Sequence, residues 1–291
     1  MKSIMLPRAG VAAERIDEVL KTEQTIEDKE DAVPFAAEKG VIKYDHVHFA
    51  YPEAEEDVLT DIDFEARPGE VTAIIGSTGC GKSTLVNLLP RFFDVRKGAI
   101  TIDGCDIRDI KMKDLRECIG FVPQKGILFS GTIASNLRFG KHKATDEELK
   151  EAAEIAQAME FIEDKKDQFE SPIAQGGTNV SGGQKQRLAI ARAIVKKPKI
   201  LVFDDSFSAL DMKTDAVLRK ALMEKVKDST VIIVAQRIST IIHADQILVL
   251  DDGKIVGKGK HGELLKNCEV YEQIARSQLS AKELGLEEKE V

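Results

Sequence analysis

The sequence predicts an α/β fold built on a largely parallel sheet, with an inserted helical region and an antiparallel β appendage. Three observations carry this. The short runs "ILVF" (200–203), "VIIVA" (231–235) and "ILVL" (247–250) have strand length and no polar alternation, so they read as strands buried on both faces. The segment "VTAIIG" (71–76) leads through a glycine-rich loop into "STLVNLLPRFF", and strand, glycine loop, helix opens a βαβ unit. From about 124 to 197 the pattern is mainly helical.

Taken in order, "VAAERIDEVL" (11–20) places Val11, Ile16, Val19 and Leu20 at roughly helical spacing, and a polar linker follows. From Val41 the pattern changes to short strands: Val47, Phe49 and Tyr51 alternate, and "VLTDIDFEARPGE" closes on the turn pair Pro68-Gly69. In the helical region, Thr145 and Glu148 are spaced for a capping box. "SGGQKQRLAIARAIVKKP" reads as a helix that starts at Ser181, carries Leu188, Ala191, Ile194 and Val195 on one face, and is closed by Lys196, Lys197 and Pro198. The last residues, 280–291, are acidic and read as a solvated tail; there is no internal repeat.

With 291 residues the chain can bury a substantial core, and 43% apolar with 32% charged residues is a globular composition. A net charge of -8 has the wrong sign for a nucleic-acid footprint, so nucleic acid is not an expected partner. No apolar run approaches the roughly 18 residues of a membrane helix, and the N-terminus lacks the pattern of a secretion signal. Cys80, Cys105, Cys118 and Cys268 are scattered, which fits a reducing compartment.

The chemistry concentrates in three places. "GSTGCGKST" fits G-x-x-x-x-G-K-[ST] with Gly76, Gly81, Lys82 and Ser83 in the fixed positions. In such a loop the backbone N–H groups of residues like Ser77, Thr78, Gly79, Cys80 and Thr84 turn toward phosphate oxygens, the lysine neutralises the β and γ phosphates, and the serine hydroxyl reaches Mg²⁺. The second place is "ILVFDD": an apolar strand drives Asp204 and Asp205 to the edge of the core, which is costly unless a cation sits there. Asp204 is the expected Mg²⁺ carboxylate, and Asp205 stands where a base or water-positioning group would sit. The third is the turn Ser181, Gly182, Gly183 and Gln184, a second anion site at a helix start. Two phosphate-directed turns in one chain suggest a nucleotide shared between two chains.

"VSGGQ" between a phosphate loop and an apolar strand ending in Asp resembles the signature of the ATP-binding cassette (ABC) family, over about residues 41–277. Tyr51 in "FAYP" resembles the aromatic residue that stacks on adenine, Gln124 in "FVPQ" the glutamine that reaches the metal and the reaction site, and Asp211 in "SALD" the end of the loop that meets the partner's nucleotide. The resemblance implies a P-loop NTPase fold with a RecA-like core, an antiparallel β subdomain and an α-helical subdomain at about 124–197. It divides the chain into a linker (1–38), an ATP-binding domain (39–279) and the acidic tail. "IMLPRAGVAAERIDEVL" and "ILFSGTIASNLRFG" resemble exporter-type members, so the implied partners are transmembrane domains and a second ATP-binding domain, at the cytoplasmic face of the cell membrane.

Two departures qualify this. Efficient members carry Glu after the strand-end Asp and His in the switch loop after the next strand; this sequence has Asp205 and Gln236. Asp is one methylene shorter, and a displacement of about 1 Å can cost a hundredfold in rate; glutamine can donate a hydrogen bond but carries no imidazolium charge. Before the signature, "PIAQGG" puts Gln175 and Gly176 where exporters often carry charge. The pattern resembles one half of a heterodimeric exporter, with ATP and Mg²⁺ held at a weakly hydrolytic site and Ser181 to Gln184 acting on the ATP of a non-identical partner that has Glu and His. A regulatory nucleotide switch stays open as the alternative.

Overall fold

A computed structural model describes residues 2–21, 25–225 and 227–280. Helix α1 (Lys2–Leu20) precedes a four-stranded antiparallel sheet made from β1 (Ile42–Phe49), β2 (Leu59–Ala66), β4 (Lys97–Ile102) and β5 (Cys105–Asp106), in the order β2-β1-β4-β5. β3 (Val71–Gly76) and α2 (Lys82–Leu88) interrupt it and begin the second sheet. After α3 (Met112–Glu117) come β6 (Ile119–Val122) and the helical insertion: the short β7 (Gly131–Thr132), α4 (Ile133–Arg138), α5 (Asp146–Ile155), α6 (Met159–Glu163), the short β8 (Pro172–Ile173) and α7 (Gly182–Ile194). The chain then returns through β9 (Ile200–Asp204), α8 (Met212–Lys225), β10 (Thr230–Val234), α9 (Ile238–Ile241), β11 (Gln246–Asp251), β12 (Lys254–Gly259), α10 (His261–Asn267) and α11 (Glu269–Gln278).

The second sheet has the order β12-β11-β3-β10-β9-β6 and is parallel except at β12. Its inner strands are largely apolar on both sides because each face has its own core. Leu201, Phe203, Val231, Ile233 and Val249 pack with the helical insertion, whereas Val202, Ile232, Val234 and Leu248 pack with the antiparallel sheet and α2. The α/β expectation therefore holds, and the reason lies in the period-two alternation between two buried faces. All the parallel strands end at one edge, where ligands of such sheets collect.

Several elements differ from the reading of the sequence. The first helix starts at Lys2, and Val11, Ile16, Val19 and Leu20 are all exposed, so their spacing marks no core face. α2 is shorter than its apolar run because Pro90 lacks the N–H that continuation requires. The edge strand β12 alternates between half-buried and exposed residues, which weakens its strand signal.

The segment read as linker is partly bound to the body. The Met112 N–H donates to Asp28 at 2.8 Å, and the Asp103 carboxylate accepts N–H bonds from Glu38, Lys39, Gly40 and Val41 at 2.8 to 3.1 Å. Burial pushes the Asp103 carboxyl up, but these four donors outweigh it and hold it below the usual carboxylate range. Of the expected acidic tail only Ser280 lies among the described residues. Among the described residues no helix is long and apolar enough to cross a membrane.

Candidate functional site

The ends of β3, β9 and β10 meet because Val234 pairs with Ile74 on one side and Asp204 on the other. β3 stops at Gly76, where an added Cβ would lie 2.0 Å from the Leu250 carbonyl oxygen, so only glycine lets the chain pass β11 this closely. The loop then turns through Gly81, whose φ of 100° is closed to L side chains, into α2. Lys82 folds back over this loop, and its Nζ donates to the carbonyls of Gly76 (2.9 Å) and Ser77 (2.7 Å). It is only 9% exposed, and among the described residues no carboxylate lies within ion-pair distance of it. A buried cation held by dipoles alone is costly, which makes the loop a ready receptor for an anion.

Ser83 Oγ donates to Asp204 Oδ1 at 2.8 Å. Burial, with the like charge of Asp205 adding to it, lifts the Asp204 carboxyl above the usual range against the pull of the Ser83 hydrogen bond and the Lys82 charge. A desolvated carboxylate beside a hydroxyl is an oxygen-only donor pair, and it suits Mg²⁺. Asp205 turns away from the strand with a left-handed φ of 46°, a conformation that Asp tolerates better than most residues. Its N–H donates to the Val234 carbonyl at 3.0 Å. Its Oδ2 accepts from Gln124 Nε2 at 3.0 Å and from Gln236 Nε2 at 2.7 Å. Three loops, after β6, β9 and β10, thus converge on one carboxylate oxygen.

Tyr51 lies just beyond β1, its hydroxyl 2.9 Å from Thr84 Oγ1 and its ring edge-on to Phe49 and Phe93 at 5.0 and 5.2 Å. Tyr51, Thr78, Lys82, Gln124, Asp205 and Gln236 line one open cleft of about 350 Å³. Cys80 is placed differently: it is 6% exposed with its sulfur 3.7 Å from Lys82 Nζ, and it does not line the cleft.

The second turn lies outside this cleft. Ser181 caps α7 through a reciprocal box, Gln184 N–H to Ser181 Oγ at 3.2 Å and Ser181 N–H to Gln184 Oε1 at 3.0 Å. Ser181 and Gly182 face solvent. Asp211 is spent on the start of α8, where its carboxylate accepts from the Thr214 N–H (2.9 Å) and Oγ1 (2.6 Å). Gln175 and Gly176 form an exposed 3₁₀ turn upstream of the signature.

Two glutamines with no role in the sequence reading hold the loops that do line the cleft. Gln186, 1% exposed, accepts from the Gly126 N–H at 2.9 Å and donates to the Pro123 carbonyl at 3.2 Å, which ties α7 to both sides of Gln124. Gln278 holds the backbone around Gln236. Both sit on the apolar stripe of their helix, Gln186 with Ala189 and Ala193, and Gln278 with Tyr271 and Ala275. A polar residue on such a stripe is the signal that could have found them.

The family model described as ABC transporter matches residues 59–208. An ABC transporter ATP-binding protein of Mycobacterium tuberculosis (strain ATCC 25618 / H37Rv) is 47% identical over 289 residues, covering 98% of this chain and 49% of that protein. The beta-(1→2)glucan export ATP-binding/permease protein of Rhodopseudomonas palustris is 43% identical over 265 residues, 91% of this chain and 44% of that protein. The solved structure of a bacterial Atm1-family ABC exporter with ATP bound superposes with a TM-score of 0.87 at 34% identity, covering 94% of this chain and 48% of that one. The chain spans about half the length of the curated relatives it matches.

Proposed function

Because the chain belongs to the ABC transporter family, as an ATP-binding domain with the P-loop NTPase fold, we propose that it clamps ATP·Mg²⁺ head-to-tail with a second such domain to power export. The observation that supports this best is the cleft itself: a nearly buried Lys82, with no carboxylate partner among the described residues, beside the Ser83–Asp204 oxygen pair and open to solvent under Tyr51. Lys82 and the loop N–H groups take the phosphates, Ser83 and Asp204 hold Mg²⁺, with Gln124 able to join them, and Tyr51 stacks on the base. Bound Mg²⁺ supplies charge neutralisation at the β and γ phosphates.

At the γ-phosphate end, Asp205 orients the attacking water and Gln236 donates to a phosphate oxygen. Both work at a disadvantage. Asp205 Oδ2 already accepts two amide bonds, from Gln124 and Gln236, so the carboxylate that should take a water's proton is engaged and set back. The domain therefore holds ATP well and hydrolyses it slowly, and its signature turn, with Ser181 and Gly182 facing solvent and Gly183 and Gln184 half-buried, completes the active site of a non-identical partner with Glu and His. In a switch reading, ATP clamps the pair and hydrolysis here plays no part; a single-turnover measurement in the assembled pair separates the two.

A transmembrane partner is supported by a groove of about 730 Å³ beside the Gln124 loop, where Phe129 and Phe139 are 47% and 60% exposed with Arg192 over the Phe129 ring. Exposed paired aromatics suit a docking segment from a membrane domain, which would place this chain at the cytoplasmic face.

The test is turnover. The chain alone should bind ATP·Mg²⁺ with little hydrolysis, and Asp205→Glu with Gln236→His should raise turnover in a forced homodimer by at least about tenfold. Because the two side chains are hydrogen-bonded, the double substitution should exceed the product of the singles. Fast hydrolysis by the unaltered chain would sink the slow-site reading.

A further inference from the structure

The switch loop at Gln236 is held from an unexpected direction. α9 is four residues long, and Arg237 in its N-cap position makes no side-chain cap, so the first N–H groups of the helix need acceptors from elsewhere. Gln278, the last residue of α11, supplies one: the Ile238 N–H donates to Gln278 Oε1 at 2.8 Å. The other end of the same carboxamide, Nε2, donates to the Gln236 carbonyl at 2.8 Å. One side-chain amide thus bridges the peptide groups on both sides of Arg237, as a paired strand would. α11 is in turn anchored by Tyr271 and Ala275, both fully buried, and by a 2.8 Å hydrogen bond between the Tyr271 hydroxyl and His261 Nδ1.

We propose that Gln278 is a positioning residue for the γ-phosphate end of the site: it sets the backbone at Gln236 so that the Gln236 amide reaches Asp205 and the nucleotide. The chain of contacts is continuous and short. α11 fixes Gln278, Gln278 fixes the Gln236 carbonyl and the Ile238 N–H, and the Gln236 side chain meets Asp205 Oδ2 at 2.7 Å. A displacement of α11 is then read out at the carboxylate beside the metal site, which makes this helix a lever on how firmly ATP is held. The inference rests on the nucleotide-site reading above, since only a ligand with a γ-phosphate would feel it.

The experiment compares release of fluorescent ribose-tagged ATP·Mg²⁺ and ADP·Mg²⁺ from the chain, together with hydrogen exchange at the Ile238 amide. Gln278→Ala should speed ATP release about fivefold, the worth of one hydrogen bond, leave ADP release unchanged, and raise Ile238 exchange at least about tenfold. Gln278→Glu keeps the acceptor but loses the donor, so it should preserve Ile238 protection and still speed ATP release. Gln236→Ala should match Gln278→Ala on ATP, and the double variant should be no faster than the faster single. The inference is overturned if the two effects multiply, if ATP and ADP release change alike, or if ATP release does not move. Lys82→Ala is the control for the premise: if it binds ATP as well as the unaltered chain, the nucleotide-site reading falls, and this inference falls with it.

Discussion

The phosphate loop and the signature turn both lead into a helix start rich in glycine, yet they are finished to different degrees. At the phosphate loop the chain supplies every wall: Gly76 packed under β11, Lys82 folded over the loop, Ser83 on Asp204, Tyr51 at the mouth. At the signature turn the side chains of Ser181 and Gln184 bond each other's backbone, with solvent in front of Ser181 and Gly182. One is a receptor; the other is a face. A turn that satisfies its own helix and encloses nothing has its anion brought from outside, which is the physical content of the head-to-tail pairing proposed here.

The sharpest way to break this comparison is to damage the receptor. Lys82→Ala should weaken ATP binding by the chain about a hundredfold or more, because it removes a buried charge-assisted contact and the clamp on two loop carbonyls. Equilibrium binding reads it directly. Asp204→Asn should follow: ATP should still bind, but the gain in affinity on adding Mg²⁺ should shrink by about tenfold or more, since the amide is a far weaker ligand for a hard cation. A magnesium titration at fixed ATP checks this.

Damage to the face should be invisible to the chain's own nucleotide. Ser181→Ala removes a helix cap, costing about 1 kcal/mol in thermal or denaturant unfolding, and should leave ATP affinity of the chain alone within about twofold. It should nonetheless depress hydrolysis at the partner's site in an assembled pair. A large loss of ATP binding by the lone chain would show that the two turns are not separate. A small effect at the receptor itself is expected at Tyr51→Phe, which keeps the ring and loses only the hydrogen bond to Thr84; affinity should fall by no more than about fivefold. Tyr51→Ala should cost more if the ring stacks on the base.

How much of this was legible differs between the two ends. Gly76, Gly81, Lys82 and Ser83 are readable because a phosphate loop is built from consecutive residues, so its chemistry survives as spacing. The strand pattern before Asp204 is readable for a similar reason, since burial on both faces leaves no polar position. Gln186 and Gln278 were not read, because each acts on backbone far away in sequence, at Pro123 and Gly126 or at Gln236 and Ile238. The same holds for the segment 25–40: its composition is that of a linker, and groups far along the chain, the Asp103 carboxylate and the Met112 N–H, reveal that part of it is bound.

The sequence by itself determined the α/β class, and it carries the spacing of Gly76, Gly81, Lys82 and Ser83 and the residue types at Asp205 and Gln236 on which the proposed slow site rests, since local pattern and residue type suffice for each. Tertiary structure alone decided that Asp205 answers to both Gln124 and Gln236, that Lys82 has no carboxylate partner among the described residues, and that Asp211 caps its own helix. These are properties of distance between loops that follow different strands, and distance across a sheet is set by strand order and register, which no single stretch of sequence carries.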